Sequence, residues 1–321
     1  MNKYSPFHSL IKGAGFVLAG NFFIYFLGFI YHIPVVRILG PEKYGLWGLV
    51  YTIITIIAPL SMVGLGTGII YYLSRAYSPY DERSVKGVII SSGKILLITS
   101  SIVTAGVIIF TTGWAKKLFP YQGIKPLLYI MAFSIPFFAF INFGEGVFRA
   151  IENARAGYEV KILQDSFKLF FIPIALWFSK GNLVLLAILT LTGFVLAFTY
   201  SGYLINRLIM PLKRMFTGSY EPYGMKLFTF SWPLLINQYV QTIGKKVDIL
   251  FIGYFLSEKS VGIYRPAVVL SQYMWVIPQA MTYLLFPIMN KLLAGDNWRE
   301  FFLVSKRAYK YILYLNIPLL C

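Results

Sequence analysis

Acidic residues are scarce in this chain: 12 Asp and Glu stand against 29 Lys and Arg in 321 residues, a formal net charge of +17. Cysteine occurs once, as Cys321, which excludes an internal disulfide and any thiolate metal cluster. Histidine occurs twice, as His8 and His32, and no loop carries a pair of carboxylates in a catalytic arrangement. The groups that hydrolytic or glycosyl-transfer chemistry needs are therefore missing, and neither an enzyme nor a cofactor is expected. Long polar segments are missing too: the longest gap between apolar runs, Asn206 to Lys226, leaves no room for a soluble domain. The glycines Gly64, Gly66 and Gly68 precede no Gly-Lys-Ser/Thr, so they read as close helix packing and not as a nucleotide loop.

What the chain does have is apolar length. Hydrophobic residues make up 58% and charged ones 13%, with a mean hydropathy of +0.68. A helix needs about 20 apolar residues to cross the hydrocarbon. Such windows lie at Leu10 to Val36, Gly45 to Leu73, Gly87 to Thr112, Pro126 to Val147, Ile162 to Phe178, Leu183 to Ile205, Leu227 to Leu256 and Gly262 to Met289. A ninth opens near Phe301 and is still apolar at Cys321, so the second half is expected to be truncated. The first run is too long for a signal peptide and leads directly into a second span. With the amino terminus in the cytoplasm, sixteen Lys and Arg fall on inner segments and eight on outer ones, the bias that orients membrane proteins. The positive balance thus needs no nucleic acid, and the expected location is the cytoplasmic membrane, crossed many times. The 24 tyrosines and six tryptophans fit interfacial belts or sugar-stacking surfaces.

An internal repeat organises the spans. Leu39-Gly-Pro-Glu-Lys-Tyr-Gly-Leu-Trp47 matches Leu256-Ser-Glu-Lys-Ser-Val-Gly-Ile-Tyr264 in length and character, each between the first and second helix of its half. Six helices intervene, an even number, so the repeats are parallel about an axis normal to the membrane. Doubling the offset gives a chain of roughly 430 residues, of which about a quarter is not represented. The expected division is a first lobe at 1–210 with helices one to six, a linker at 211–225 and an incomplete second lobe at 226–321. Intramembrane prolines at 34, 59, 136, 173, 233, 278 and 287 free backbone carbonyls and bend the helices.

The run Arg37-Ile-Leu-Gly-Pro-Glu-Lys-Tyr-Gly-Leu-Trp47, followed by Gly64-Leu-Gly66 and Tyr71-Tyr-Leu-Ser-Arg-Ala76, resembles the polysaccharide-exporter branch of the multidrug/oligosaccharidyl-lipid/polysaccharide flippase superfamily. Asp248-Ile-Leu-Phe-Ile-Gly253, Val261-Gly-Ile-Tyr264 and Ala267 are similar to its seventh and eighth helices. The resemblance covers the whole chain. It implies an all-α polytopic membrane protein with a two-lobe exporter fold, whose parallel six-helix repeats surround a cavity through which lipid-linked sugars move. Eight helices and part of a ninth depart from the dozen or more of that pattern.

Charge inside the spans is the sharpest functional signal. An ionisable side chain at the bilayer centre costs roughly 2.5 to 3.5 kcal/mol on insertion scales, so such residues usually face protein or a watery cavity. Lys245 and Asp248 lie at i and i+3 within the seventh span, with Lys246 rotated about 100° away. They could form a neutralising pair, or the lysines could line a cavity. Lys94 and Lys168 lie about 10 Å inside their helices, where snorkelling or, for Lys168, a pair with Asp165 competes with a cavity role. Arg37 and Arg265 border the outer ends of the first and eighth helices, as anchors or substrate contacts. Glu145, Arg149, Glu152 and Arg155 suggest a solvated helix end, and His32 a hydrogen-bonded packing residue.

Two transport functions follow. Fixed cations at Lys245, Lys246, Lys94, Lys168, Arg37 and Arg265 would attract the diphosphate of a polyprenyl-linked oligosaccharide as it is flipped by alternating access. The alternative is a cation-coupled multidrug exporter of the same superfamily, against which the basic sign of the buried charges argues. Membrane lipids and a coupling H+ or Na+ complete the expected partners. If transport is ion-coupled, Asp248 is the best-placed carboxylate and Glu145 the second. Asp248→Asn is expected to abolish ion-dependent transport in proteoliposomes; unchanged coupling removes Asp248 from that role.

Overall fold

The computed structural model describes residues 5–78, 80–215, 217, 219–274 and 298–320. Its long helices are α1 (Ser5–Ile57), α2 (Leu65–Tyr77), α3 (Glu82–Gly113), α5 (Ile124–Ala132), α6 (Ser134–Ala150), α7 (Ala154–Phe178), α8 (Leu183–Leu208), α10 (Gly224–Gly244), α11 (Val247–Phe255), α12 (Glu258–Met274) and α13 (Trp298–Leu320). Short turns of helix, α4 (Ala115–Leu118) and α9 (Leu212–Met215), lie between them. Four helical stretches among the described residues are long and apolar enough to cross a membrane: Phe26–Tyr77, Glu82–Gly113, Ile124–Ala150 and Leu183–Leu208. The far end of the expected eighth span, with Pro278, Pro287 and Met289, and Cys321 lie outside the described residues.

The chain divides into two compact units. The smaller takes in residues 1–29 and 266–321, with the start of α1, the end of α12 and α13; the larger is residues 30–265. In the larger unit the apolar core forms two clusters toward opposite ends of the same bundle. Leu65, Ile69, Val88, Val147 and Leu204 belong to one, and Leu49, Leu128, Ile135, Ile172 and Leu186 to the other. Leu97, Ile98, Ile102 and Ile109 line the outward face of α3, and Phe170, Ile174, Trp177 and Phe178 that of α7. An apolar face this long would be a liability in water and is the normal contact surface in lipid.

Local sequence accounts for the ends and breaks. Asp81 and Asn182 cap α3 and α8 by accepting backbone N–H groups, from Arg83 at 3.1 Å and from Val184 at 2.9 Å. The turn before α8 places Lys180 and Gly181 at positive φ, and Lys43 Nζ donates to both their carbonyls at 3.3 Å. The loop expected between the first two spans is a kink: α1 continues across Gly40, which takes φ 68° ahead of Pro41. The second span is interrupted by a 3-10 turn, Ala58–Met62, opened by Pro59, and Thr99 of α3 donates to the Ser61 carbonyl at 2.6 Å. The fourth span is α5 followed directly by α6 at Phe133.

The segment between α8 and α10 is fastened to the start of α3 through Arg214, Thr217 and Glu221. Arg214 and Lys86 both pair with Glu82, at 2.6 and 2.8 Å, and Lys86 also donates to the Thr217 carbonyl at 3.0 Å. Glu221 accepts from Ser84 at 3.2 Å and from Lys226 at 2.9 Å. The Lys226 bond holds the Glu221 carboxyl below the usual glutamate range.

The repeat seen in the sequence is a physical contact. A Cβ on Gly45 would collide with the Glu258 carbonyl, and a Cβ on Gly262 with the Pro41 carbonyl. Gly45 corresponds to Gly262 and Pro41 to Glu258, so each copy offers its glycine to the other's backbone, the reciprocity of a pseudo-two-fold axis. Overpacking at such a seam typically costs about 1–3 kcal/mol. Gly45→Val and Gly262→Val are each expected to lower the detergent thermal midpoint, whereas Gly93→Val, whose Cβ would meet open space, leaves it unchanged; equal midpoints in all three would refute the seam.

Candidate functional site

The same seam creates a place for a buried cation. Gly48 is the repeat equivalent of Arg265, and a Cβ there would lie 2.7 Å from both Cδ and Nη1 of Arg265. One copy thus omits a side chain where the other inserts a guanidinium. Arg265 is only 7% exposed. Its guanidinium carbon lies 5.3 Å from the ring centre of Tyr44 and 5.4 Å from that of Tyr51, a cation–π cage. Tyr44 is buried, and its hydroxyl hydrogen-bonds His32 Nδ1 at 3.1 Å, the packing role expected of that histidine. Among the described residues Arg265 pairs with no carboxylate, and its Nη1 has no hydrogen-bond partner. A buried donor left open is costly, and a guanidinium more so than a neutral group.

Other cations gather near it. The seventh span is not one helix: α10 stops at Gly244, Lys245 and Lys246 form a turn, and α11 starts at Val247. Of the two readings of these residues, a Lys245–Asp248 pair on a continuous helical face is not seen among the described residues. Asp248 instead accepts from the Tyr264 hydroxyl at 2.7 Å and from the Ile249 N–H at 2.9 Å. Half-buried Lys246 interacts electrostatically with Arg265 and with exposed Lys245. On α7, Lys168 pairs with Asp165 at 3.2 Å, sits 5.5 Å from the Phe194 ring centre, and acts with Arg265 on His32. Lys245 and Lys246 thus sit at the break between α10 and α11 and Lys168 beside Asp165 on α7, within the same larger unit as Arg265.

The remaining candidates lie elsewhere. Lys94 donates to the Tyr220 hydroxyl at 3.0 Å and belongs to the linker contact. Arg37 is exposed just before the kink and forms no ion pair among the described residues. Glu145 pairs with Lys161 at 3.0 Å and with Arg149 at 3.9 Å. The charge ladder after it breaks up, because Glu152 turns the chain at φ 57° and Arg155 pairs with Glu159 at 2.8 Å. Gly64 and Gly68 do serve close packing, against Ser231 of α10.

Sequence reasoning missed two groups. The Tyr44 and Tyr51 rings around Arg265 are hidden among many tyrosines and are found only through the seam. Asn142, Asn237, Gln238 and Gln241 line a cavity of about 320 Å³ between α2, α6 and α10, together with Glu145 and Arg149. Their signal was present: three amides at i, i+1 and i+4 in an otherwise apolar helix.

A family profile described as polysaccharide biosynthesis protein matches residues 10–293. No curated protein sequence gives a significant match. A solved structure described as the inward-facing conformation of a multidrug resistance MATE family transporter of the MOP superfamily superposes with a TM-score of 0.69, at 15% identity, over 90% of this chain and 67% of that one. A MATE in complex with MaD3S gives 0.67 at 16% identity, over 97% and 70%. At these identities the likeness is one of fold.

Replacing even a buried ion pair by apolar side chains of similar volume is often neutral or stabilising by about 1–4 kcal/mol, and an unpaired buried charge has no Coulombic partner to lose. Arg265→Met is therefore expected to hold or raise the thermal midpoint; a fall of several degrees would mean that Arg265 serves packing.

Proposed function

Because the chain belongs to the polysaccharide biosynthesis protein family, matched over residues 10–293, and has the fold of MOP-superfamily transporters, we propose that it moves a polyprenyl-diphosphate-linked oligosaccharide across the cytoplasmic membrane by alternating access. The observation that carries this reading is Arg265, a buried guanidinium with an open donor and no carboxylate partner among the described residues. A site of that kind is destabilised when empty and relieved by an anion, so binding energy is stored where a head group must enter the low-dielectric slab. At an effective dielectric of about 20, a charge pair at 4 Å attracts by about 4 kcal/mol. Arg265 supplies the planar fork that suits phosphate, while Lys246, Lys245 and Lys168 supply mobile point charges. In this scheme the amino terminus is cytoplasmic, by the Lys and Arg bias between loops, and Asp248 or Glu145 takes the coupling ion. An exporter of cationic drugs would need free acid in the cavity, whereas Asp165 and Glu145 are paired with lysines and Asp248 with Tyr264.

The test is flipping of a fluorescent lipid-diphosphate oligosaccharide in proteoliposomes. A charge-assisted hydrogen bond contributes about 1.5–3 kcal/mol, so Arg265→Ala and Lys246→Ala should each slow transport about tenfold or more. Arg37→Ala and Lys94→Ala should stay near the wild-type rate. Retained flipping in both Arg265 and Lys246 variants contradicts the proposal.

A further inference from the structure

The amide-lined cavity differs in chemistry from the cation cluster. Asn237, Gln238 and Gln241 are exposed on α10 and face Asn142, Glu145 and Arg149 of α6 across about 320 Å³, the low end of the size range of small-molecule sites. The lining itself carries one acid and one base, Glu145 and Arg149 at 3.9 Å, while Lys161, outside the lining, pairs with Glu145 at 3.0 Å. A bare phosphate gains little from such a lining, and a drug cation meets Arg149.

The hydrogen-bonding capacity is largely open. Gln241 Nε2 donates to Asn237 Oδ1 at 3.2 Å, and Asn142 Nδ2 donates to the Phe138 carbonyl at 2.8 Å. Each primary amide carries two donor hydrogens and an acceptor oxygen, so several of both kinds remain for a ligand. Paired donors and acceptors at a fixed short separation suit vicinal hydroxyls, which are themselves donor and acceptor. Phe138 adds one aromatic wall. An amide row in an apolar helix is costly unless it meets water or a polyhydroxyl ligand.

We infer that this cavity is the sugar-reading subsite: it binds the neutral polyhydroxyl head of the cargo through Asn237, Gln238, Gln241 and Asn142. The inference rests on the proposed flippase function and adds where the sugar lies. Gln241 precedes Lys245 by four residues, about 6 Å of helical rise, so sugar and diphosphate would occupy neighbouring stations along α10 and the turn that ends it.

Binding to the whole protein in detergent tests this with two probes, a polyprenyl diphosphate carrying a disaccharide and the same lipid diphosphate without sugar. The double variant Asn237→Leu/Gln241→Leu should lose about tenfold in affinity for the first probe and nothing for the second. Gln238→Ala, at an exposed position, should show the same selective loss to a smaller degree and guards against a misfolded double variant. Equal loss on both probes, no loss on either, or a wild type that binds the sugar-bearing probe no tighter than the bare lipid overturns the subsite. A wild type that binds neither probe removes the flippase proposal as well, whereas tight binding of both with indifferent amide variants removes the subsite alone.

Discussion

The architecture of the larger unit turns on how closely two copies of one short motif approach each other. Gly45 and Gly262 let each backbone reach the other's carbonyl, at Glu258 and Pro41. That seam fixes which residues can follow. One turn further on, the axis brings Gly48 opposite Arg265, and the missing side chain on one copy becomes room for the guanidinium on the other. Perfect symmetry would have put two arginines or two glycines there. A single departure from the repeat converts a packing contact into a charged site caged by Tyr44 and Tyr51.

Irregular backbone recurs where it has partners. The 3-10 turn in the second span exposes the Ser61 carbonyl, and Thr99 takes it up. Tyr121 donates to the Gly253 carbonyl at 2.5 Å near the end of α11. Lys245 and Lys246 occupy the break between α10 and α11, close to other cations. Broken helices are tolerated at membrane depth only when neighbouring groups or water satisfy the freed backbone, so the breaks and the polar side chains form one structural solution. The linker follows the same logic at the bundle end, where Glu82, Lys86, Arg214 and Glu221 tie it to α3.

Much of the fold was legible because bilayer thickness imposes a length that composition reveals. The apolar windows, the repeat at Leu39 and Leu256, and the family resemblance all point the same way. Continuity was not legible: hydropathy is blind to whether Gly40, Phe133 or Gly244 interrupts a helix, since each is compatible with an apolar span. For that reason the i, i+3 spacing that allowed a Lys245–Asp248 pair beside the cavity reading does not apply, because a turn replaces the helix on which it relied. Arg265 was identified from its position at a helix border, but its burial depends on Gly48, a contact between segments far apart in sequence. The amides of α10 were visible individually and acquired meaning only opposite Asn142 and Glu145.

The central claim is that buried, unpaired positive charge in the larger unit exists to receive a phosphorylated lipid. The most direct measurement compares the affinity of the unmodified protein for a polyprenyl diphosphate and for the corresponding polyprenyl alcohol, with inorganic diphosphate as competitor. The account predicts that the diphosphate binds at least about tenfold more tightly, a difference of about 1.4 kcal/mol, and that the competitor and added salt erase the advantage. Equal affinity for the two lipids, untouched by inorganic diphosphate, would contradict it.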